Sequence, residues 1–233
     1  MPSIAENLER VREQIAQAAA KSRRSGNEVE LVAITKTHPA ERVREAIEAG
    51  QTLFGESRVQ EARVKIPELP SAIRWHFVGH LQKNKIRHAL PLFEMLHSID
   101  ALALAKDVNR IAEEERTHPR VLLEVNVAAE GNKFGFAPNG LREQMETLLA
   151  LPRLSIEGLM CIPPLAVESE NSRRFFVQVR ELRDSLEKEF NVKLPWLSMG
   201  MTQDFSIGIE EGATLVRVGT AIFGDRRSKK GDL

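Results

Sequence analysis

The chain has 233 residues, and its 33 basic residues balance its 33 acidic residues. This balance shows no basic excess for nucleic acid, and no apolar run approaches the roughly 20 residues that span a bilayer. The single cysteine excludes an internal disulfide and the N-terminus has no signal-peptide pattern, so we expect a cytoplasmic protein that contacts neither nucleic acid nor membrane.

The first predicted element is an amphipathic helix over residues 3–24. Ser3 and Glu6 have the spacing of a capping box at its start. One face of the helix is apolar and consists of Ile4, Leu8, Val11, Ile15 and Ala18. Because this helix precedes the first strand, we expect an extra element laid across one end of the fold.

Eight short strands then alternate with helices or helical turns. The strands are predicted at 30–35, 52–55, 73–78, 95–99, 120–126, 154–160, 194–198 and 214–217. The helices are predicted at 40–49, 56–66, 83–88, 101–116, 139–150, 171–190 and 202–211, with a last turn at 219–223. Such alternation indicates an α/β protein with a parallel sheet and right-handed crossovers.

Eight such units in about 205 residues fit a closed (β/α)8 barrel, the TIM barrel. A doubly wound open sheet is the alternative. No linker or change of composition divides the chain, so we expect one domain over residues 1–233. We also expect no C-terminal β-domain after the eighth strand.

The first strand ends close to Lys36 and is followed by a helix after Pro39. Ligands bind at the carboxyl ends of parallel strands, both in barrels and in open sheets. A lysine that leaves an apolar wall tends to have a lowered pKa, and its neutral amine can form a Schiff base with a carbonyl compound. The alternative is a lysine that only extends its charge into solvent.

Glycine and threonine follow the last two strands, at Gly200, Thr202, Gly219 and Thr220. Barrels often bind phosphate with these two loops and the start of a short helix. Glycine lets the backbone approach an anion closely, and threonine adds a hydroxyl donor. The pattern predicts a phosphate site, and ordinary helix capping is the alternative.

Other common sites are not indicated. The chain contains neither a G-x-G-x-x-G fingerprint nor a P-loop. His76 and His80 are four residues apart, but Gly79 lies between them at a strand end, so we expect no metal site. We also do not expect Cys161 to act as a nucleophile.

Several stretches together resemble the pyridoxal phosphate homeostasis proteins, which are related to the N-terminal barrel of alanine racemases. The stretches are LVAITKTHP (31–39), FGESRVQE (54–61), WHFVGHLQKNK (75–85), HSID (97–100), EVNV (124–127), KFG (133–135), GLM (158–160), LSMGMTQD (197–204) and VRVGTAIFG (216–224). The match continues in register from about residue 5 to residue 226. The chain departs from the family at Ser57, where the family usually has asparagine.

The resemblance implies that Lys36 binds pyridoxal 5′-phosphate (PLP) as a Schiff base. It implies that Thr202, Gly219 and Thr220, with the backbone around Met199 and Gly200, hold the phosphate. It also places Arg217 opposite the pyridine nitrogen and Ser57 near the cofactor. A guanidinium cannot readily protonate this nitrogen, so the ring would be a weak electron sink.

Two functions remain open: a non-catalytic carrier that buffers PLP in vitamin B6 homeostasis, and a PLP-dependent amino-acid racemase. The related racemases use a tyrosine from their C-terminal β-domain as second base, and this chain has no tyrosine. We therefore expect a monomeric carrier rather than an enzyme, with PLP-dependent apo-enzymes as recipients. A Schiff-base aldolase barrel is a third alternative.

Overall fold

The computed structural model describes residues 2–128, 134–164 and 168–224. Lys133 of the KFG stretch and the basic C-terminal residues after Gly224 lie outside this part of the chain. Within it, no helix combines the length and the apolar character that a membrane-spanning helix requires.

Eight parallel strands form a closed barrel in chain order, with β8 paired to β1. The strands are β1 (Glu30–Ile34), β2 (Leu53–Glu56), β3 (Arg74–Phe77), β4 (Met95–Ile99), β5 (Arg120–Glu124), β6 (Ser155–Met160), β7 (Trp196–Met201) and β8 (Leu215–Val218). The predicted (β/α)8 barrel is confirmed. The open-sheet alternative is wrong because both edges of the sheet are paired.

Helices surround the barrel in the described part of the chain. They are α1 (Ile4–Lys21), α2 (Ala40–Glu48), α3 (Val59–Lys65), α4 (Ile86–Ala89), α5 (Leu102–Glu114), α6 (Pro138–Leu149), α7 (Arg173–Phe190), α8 (Phe205–Glu210) and α9 (Thr220–Phe223). Short 3-10 turns occur at Gly26–Glu28, Ile66–Glu68, Lys83–Lys85 and Ser169–Ser172.

The predicted boundaries of two elements differ from those in the structure, and both differences affect residues of the predicted site. The strand predicted at 194–198 begins at Trp196 and continues to Met201, so Met199 and Gly200 belong to the barrel wall. The helix predicted at 56–66 begins only at Val59, because Glu56 pairs with β3 as the last residue of β2. Ser57 therefore lies in a loop at the barrel rim.

Helix α1 has the predicted apolar face and the predicted capping box between Ser3 and Glu6. It packs against α2, α8 and α9 in the outer helical layer. The expectation that it lies across one end of the fold is wrong. Helix α9 has only four residues, and α1 lies beside it in the helical layer, in contact with α8 and α2 as well.

Side chains that point into the barrel form a small apolar cluster distinct from the larger core beneath the helices. Its buried members are Val32, Ile34, Leu53, Met95, Leu122, Met160 and Leu215. Side chains of a strand alternate between its two faces, so every second residue of each strand belongs to this interior. The interior register of β1 contains Val32 and Ile34 and is continued at position 36.

Ion pairs line the amino-terminal ends of the strands. Arg74 bonds to Glu30 and Glu94, and Arg120 bonds to Glu94 and Glu157. The side chains of Glu94, Arg120 and Glu157 are each about one-third exposed or less. These pairs fill the amino-terminal end of the barrel and leave the carboxyl end for a ligand.

Candidate functional site

Lys36 lies in a tight turn directly after β1. The backbone N–H of His38 donates to the carbonyl oxygen of Thr35 over 3.0 Å and closes the turn. Thr37 has a φ of 68°, which is uncommon for a β-branched residue. Lys36 itself is exposed, so its side chain is not buried against the apolar residues of β1. The strand stops two residues earlier, and the turn raises Lys36 to the mouth of the barrel.

Ser57 lies beside this turn at the rim. It follows the interior register of Leu53 and Gly55 and is partly exposed. A Cβ atom on Gly79 would lie 2.2 Å from the carbonyl oxygen of Ser57, so the loops after β2 and β3 are in contact. Ser57 lines a cavity of about 360 Å³ together with His80 and Lys85.

The end of β7 bends sharply onto α8. Gly200 has a φ of 91°, and a Cβ atom at this position would lie 2.7 Å from the Cα atom of Phe205. Glycine is therefore required here both by backbone conformation and by space. Met199 is buried in the wall, while Thr202 is partly exposed in the loop. This bend places the loop after β7 at the rim, and Gly200 has no side chain that would cover the backbone there.

The loop after β8 adjoins the Lys36 turn. Val218 pairs with Ala33, and a Cβ atom on Gly219 would lie 3.3 Å from the carbonyl oxygen of Ile34. Thr220 is exposed at the start of α9. The ring of His38 stacks on Phe223 at 5.0 Å between centroids, so the turn and α9 hold each other.

Arg217 lies below this rim, with its side chain inside the barrel. Its Nη1 donates to the carbonyl oxygen of Ser198 over 2.8 Å and to its hydroxyl oxygen over 2.5 Å, and its Nη2 donates to the carbonyl oxygen of Cys161 over 2.9 Å. Burial lowers the pKa of Arg217, while Cys161, Glu124 and Asp204 act in the opposite direction. The guanidinium is thus fixed across β6, β7 and β8.

A buried polar chain continues from Ser198 across the barrel. His97 Nδ1 lies 2.9 Å from Ser198 Oγ, and His97 Nε2 lies 3.0 Å from His76 Nδ1. Burial lowers the pKa of His76 to about 3 and lowers that of His97 well below its ordinary value. Both rings are therefore neutral near pH 7.

The positions of the hydrogen atoms in this hydrogen-bonded series follow from Arg217, which is its charged end. Arg217 can only donate, so the hydroxyl hydrogen of Ser198 is left for His97 Nδ1. Hydrogens on Nε2 of both rings then leave the fewest groups unpaired. In the described part of the chain, His76 Nε2 is a buried nitrogen without a hydrogen-bond partner. Arg217 is thus supported by a series of hydrogen bonds that crosses the barrel and ends at His76 on β3.

Acidic residues also lie at the rim. Glu124 ends β5, and burial is the main cause that raises its pKa to about 7, with the charge of Asp100 adding to the effect and Arg217 opposing it. Asp100 Oδ2 also accepts a hydrogen bond from Nδ1 of His80 over 2.9 Å. The ring of His80 stacks on Phe134 at 3.7 Å between centroids.

The structure thus brings most predicted residues to one end of the barrel. Lys36, Ser57 and the two glycine loops lie at the rim, and Arg217 lies beneath them. Sequence reasoning missed Glu124, Ser198 and His97 as site residues. The two-residue spacing of polar side chains within otherwise apolar strands is the signal that could have identified them as interior residues.

A family model for the alanine racemase N-terminal domain matches residues 6–227 of the chain. The chain is 43% identical to the pyridoxal phosphate homeostasis protein of Aquifex aeolicus, over 95% of this chain and 98% of that protein. It is 40% identical to the protein of the same name from Escherichia coli strain K12, over 99% of this chain and 100% of that one.

Solved structures agree with these matches. PipY of Synechococcus elongatus, solved without PLP, aligns with a TM-score of 0.86 at 40% identity, over 95% of this chain and all of that chain. PipY with PLP bound aligns with a TM-score of 0.84 at 38% identity. Alanine racemase of Clostridium difficile, at 14% identity, shares the fold over 57% of its length with a TM-score of 0.74. The chain belongs to the pyridoxal phosphate homeostasis protein family, within the wider family of the alanine racemase N-terminal domain.

Proposed function

We propose that this protein binds PLP at the carboxyl end of its barrel and buffers or carries it in intracellular vitamin B6 homeostasis. The observation that carries the proposal is the convergence of the Lys36 turn with the loop after β8, above a buried Arg217. Relatives with this name match the chain over nearly its whole length, and PipY has been solved with PLP bound. The function belongs to one domain that spans residues 1–233.

The donor set of the rim fits such a ligand. When bound, PLP supplies an aldehyde that condenses with a primary amine. Lys36 is the amine in the turn after β1, and it provides the covalent attachment. Gly200 and Gly219 carry no side chain that could cover their backbone N–H groups, which suits close approach by an anion, with hydroxyl donors at Thr202 and Thr220. Ser57 and Met199 complete the set as further cofactor contacts.

Arg217 determines the state of the pyridine nitrogen in this proposal. A guanidinium donates hydrogen bonds and keeps its own proton, so it does not protonate the ring. Its position is fixed by hydrogen bonds to the carbonyl oxygens of Ser198 and Cys161. Arg217 therefore orients the ring and leaves it a weaker electron sink than a carboxylate partner would. This property suits storage of PLP better than catalysis.

We propose further that the protein is a carrier without sustained turnover. None of the 233 residues is a tyrosine, the residue type that serves as second base in the related racemases. PLP-dependent apo-enzymes are the proposed recipients, and the carrier acts as a monomer. The racemase alternative is tested by incubating the PLP-loaded protein with single amino acids. Turnover well above that of free PLP would contradict the carrier function.

The visible absorption spectrum tests cofactor binding directly. We expect PLP to produce a new band with the wild-type protein that survives dialysis and disappears in Lys36→Ala. Lys85→Ala is the matched control, because Lys85 lines the adjoining cavity at the same rim. Persistence of the band in Lys36→Ala, or its loss in Lys85→Ala, would contradict the assignment. Tightly bound PLP in the purified protein would also exclude a Schiff-base aldolase.

A further inference from the structure

Three side chains from β2 and α3 hold the turn that carries Lys36. They are Glu56, Glu61 and Lys65, which we call the turn clamp. Glu56 and Lys65 are buried, and Glu61 is about one-quarter exposed. The clamp lies outside the barrel wall, between β2 and α3, and is therefore separate from the proposed ligand contacts.

Lys65 is the centre of the clamp. Its Nζ donates to Glu56 Oε1 over 2.5 Å, to Glu61 Oε1 over 2.9 Å and to the carbonyl oxygen of Thr35 over 2.8 Å. Thr35 Oγ1 in turn donates to Glu56 Oε1 over 2.6 Å. A buried ammonium costs free energy unless it is paired and fully hydrogen-bonded, and here its third partner is the backbone immediately before Lys36.

Glu61 holds the residue on the other side of Lys36. The backbone N–H of Thr37 donates to Glu61 Oε1 over 2.6 Å. Thr37 has a φ of 68°, a left-handed conformation that a β-branched side chain disfavours. Such conformations persist only where the surroundings impose them. The Glu61 contact is made directly on the strained residue, so it is placed to impose this conformation.

We propose that the turn clamp is a positioning device for Lys36, which fixes Thr35 and Thr37 so that the amine between them is presented over the barrel mouth. The role of Lys36 as attachment point rests on the proposed function, whereas the effect of the clamp on the turn does not. Glu56, Glu61 and Lys65 act through the backbone on either side of Lys36, and they are positioning residues rather than catalytic ones.

Amide hydrogen exchange of the protein without PLP tests the clamp itself. We expect Glu61→Ala to raise the exchange rate of the Thr37 amide by about tenfold or more, because the amide loses its acceptor. Glu187→Ala is the matched control, since Glu187 accepts a backbone N–H from Leu194 over 2.6 Å far from the turn. Equal exchange of the Thr37 amide in Glu61→Ala and in the wild type would overturn the proposal.

The rate of covalent attachment tests the consequence for Lys36. The probe is pyridoxal, which lacks the phosphate, with reductive trapping and peptide mapping of Lys36. We expect Glu61→Ala to slow attachment about tenfold, and Glu61→Gln to slow it less because the amide oxygen still accepts the bond from Thr37. Unchanged rates in Glu61→Ala would contradict a positioning role.

A second substitution separates positioning from general damage. Glycine tolerates a positive φ without strain, so adding Thr37→Gly to Glu61→Ala should restore at least half of the lost rate. A double variant as slow as Glu61→Ala would refute the strain argument. If the wild type itself fails to take up PLP on Lys36, the proposed function fails, while the exchange experiment still decides whether the clamp holds the turn.

Discussion

Arg217 and Ser198 form the inner support of the candidate site, because one guanidinium nitrogen donates to both the carbonyl and the hydroxyl oxygen of the same serine. The hydroxyl group of Ser198 is also hydrogen-bonded to His97 Nδ1. A charged group inside a barrel is tolerated only when its donors are paired. The position of Arg217, and with it the environment proposed for the pyridine nitrogen, therefore depends on a residue on the neighbouring strand.

Removing this hydroxyl should destabilise the protein. We expect Ser198→Ala to lower the free energy of unfolding by about 1–3 kcal/mol, because Arg217 and His97 each lose a buried partner. Ser185→Ala is the control, since Ser185 accepts a hydrogen bond from Arg142 on the exposed surface. Urea unfolding measures both values. A loss in Ser198→Ala no larger than in Ser185→Ala would show that the contact does not support the fold.

Glu124 should make stability depend on pH. Its pKa is raised to about 7 in the folded protein from an ordinary value of 4.5, so the folded state holds the proton more tightly than the unfolded state. Stability therefore falls as pH rises from about 4.5 to about 7 and then levels off. We expect Glu124→Gln to gain at most about 3 kcal/mol over the wild type at pH 8, and nothing at pH 4.5.

Urea unfolding at both pH values measures this difference. Glu143→Gln, on the exposed surface of α6, serves as the control, and we expect its difference from the wild type to be the same at both pH values. An equal effect of Glu124→Gln at pH 4.5 and pH 8 would show that the folded protein does not hold this proton.

Gly200 should not tolerate a side chain. Alanine would have to adopt a φ of 91° with its Cβ atom 2.7 Å from Phe205 Cα. We expect Gly200→Ala to cost at least about 2 kcal/mol of stability and to weaken PLP binding, because the end of β7 must move. Gly50→Ala is matched in backbone conformation, with a φ of 80°, but meets no atom within 4 Å.

The comparison between the two glycines isolates the effect of space. We expect Gly50→Ala to cost about 1 kcal/mol and to leave PLP binding unchanged. Thermal unfolding and a PLP titration measure both properties in both variants. If the two variants lose the same stability, the close approach of Phe205 has no energetic consequence.

Cys161 should be unreactive in the folded protein. It is fully buried, and burial raises the pKa of its thiol to about 12. The reactive form of cysteine is the thiolate, so we expect an aromatic disulfide reagent to react at least about a hundredfold more slowly than with the unfolded chain. Val64→Cys places a thiol at a position that is 69% exposed and provides the reactive control. Rapid labelling of Cys161 in the folded wild type would contradict its burial.

The sequence was sufficient for the parts of the site that depend on local signals. The apolar runs that alternate with helices predicted the barrel, and the residues after the first, seventh and eighth runs predicted the rim. Lys36, Gly200 and Gly219 could be found because the carboxyl ends of parallel strands meet at one edge of the sheet. The family resemblance added their proposed roles, which stay predictions until the cofactor is measured on this chain.

The sequence did not predict the interior support. Arg217 depends on Ser198 and Cys161 from neighbouring strands, and Ser198 meets His97 across 101 positions of sequence. The clamp at Lys65 was not predicted for a similar reason, because its partners Thr35 and Glu56 lie at the ends of two other elements and meet Lys65 only in the folded structure. Helix α3 begins at Val59, three residues later than predicted, and the buried Lys65 is its last residue.

The sequence by itself determined the barrel and which residues stand at its rim, because strand periodicity and glycine placement are local properties of the chain. Only the tertiary structure decided which polar groups share the interior and which carboxylates hold the Lys36 turn. Closure of the sheet brings distant strands together, and burial there favours hydrogen bonds between the polar groups that they carry. The hydrogen bonds from Arg217 to Ser198 and from Lys65 to Thr35 are two examples of such pairing.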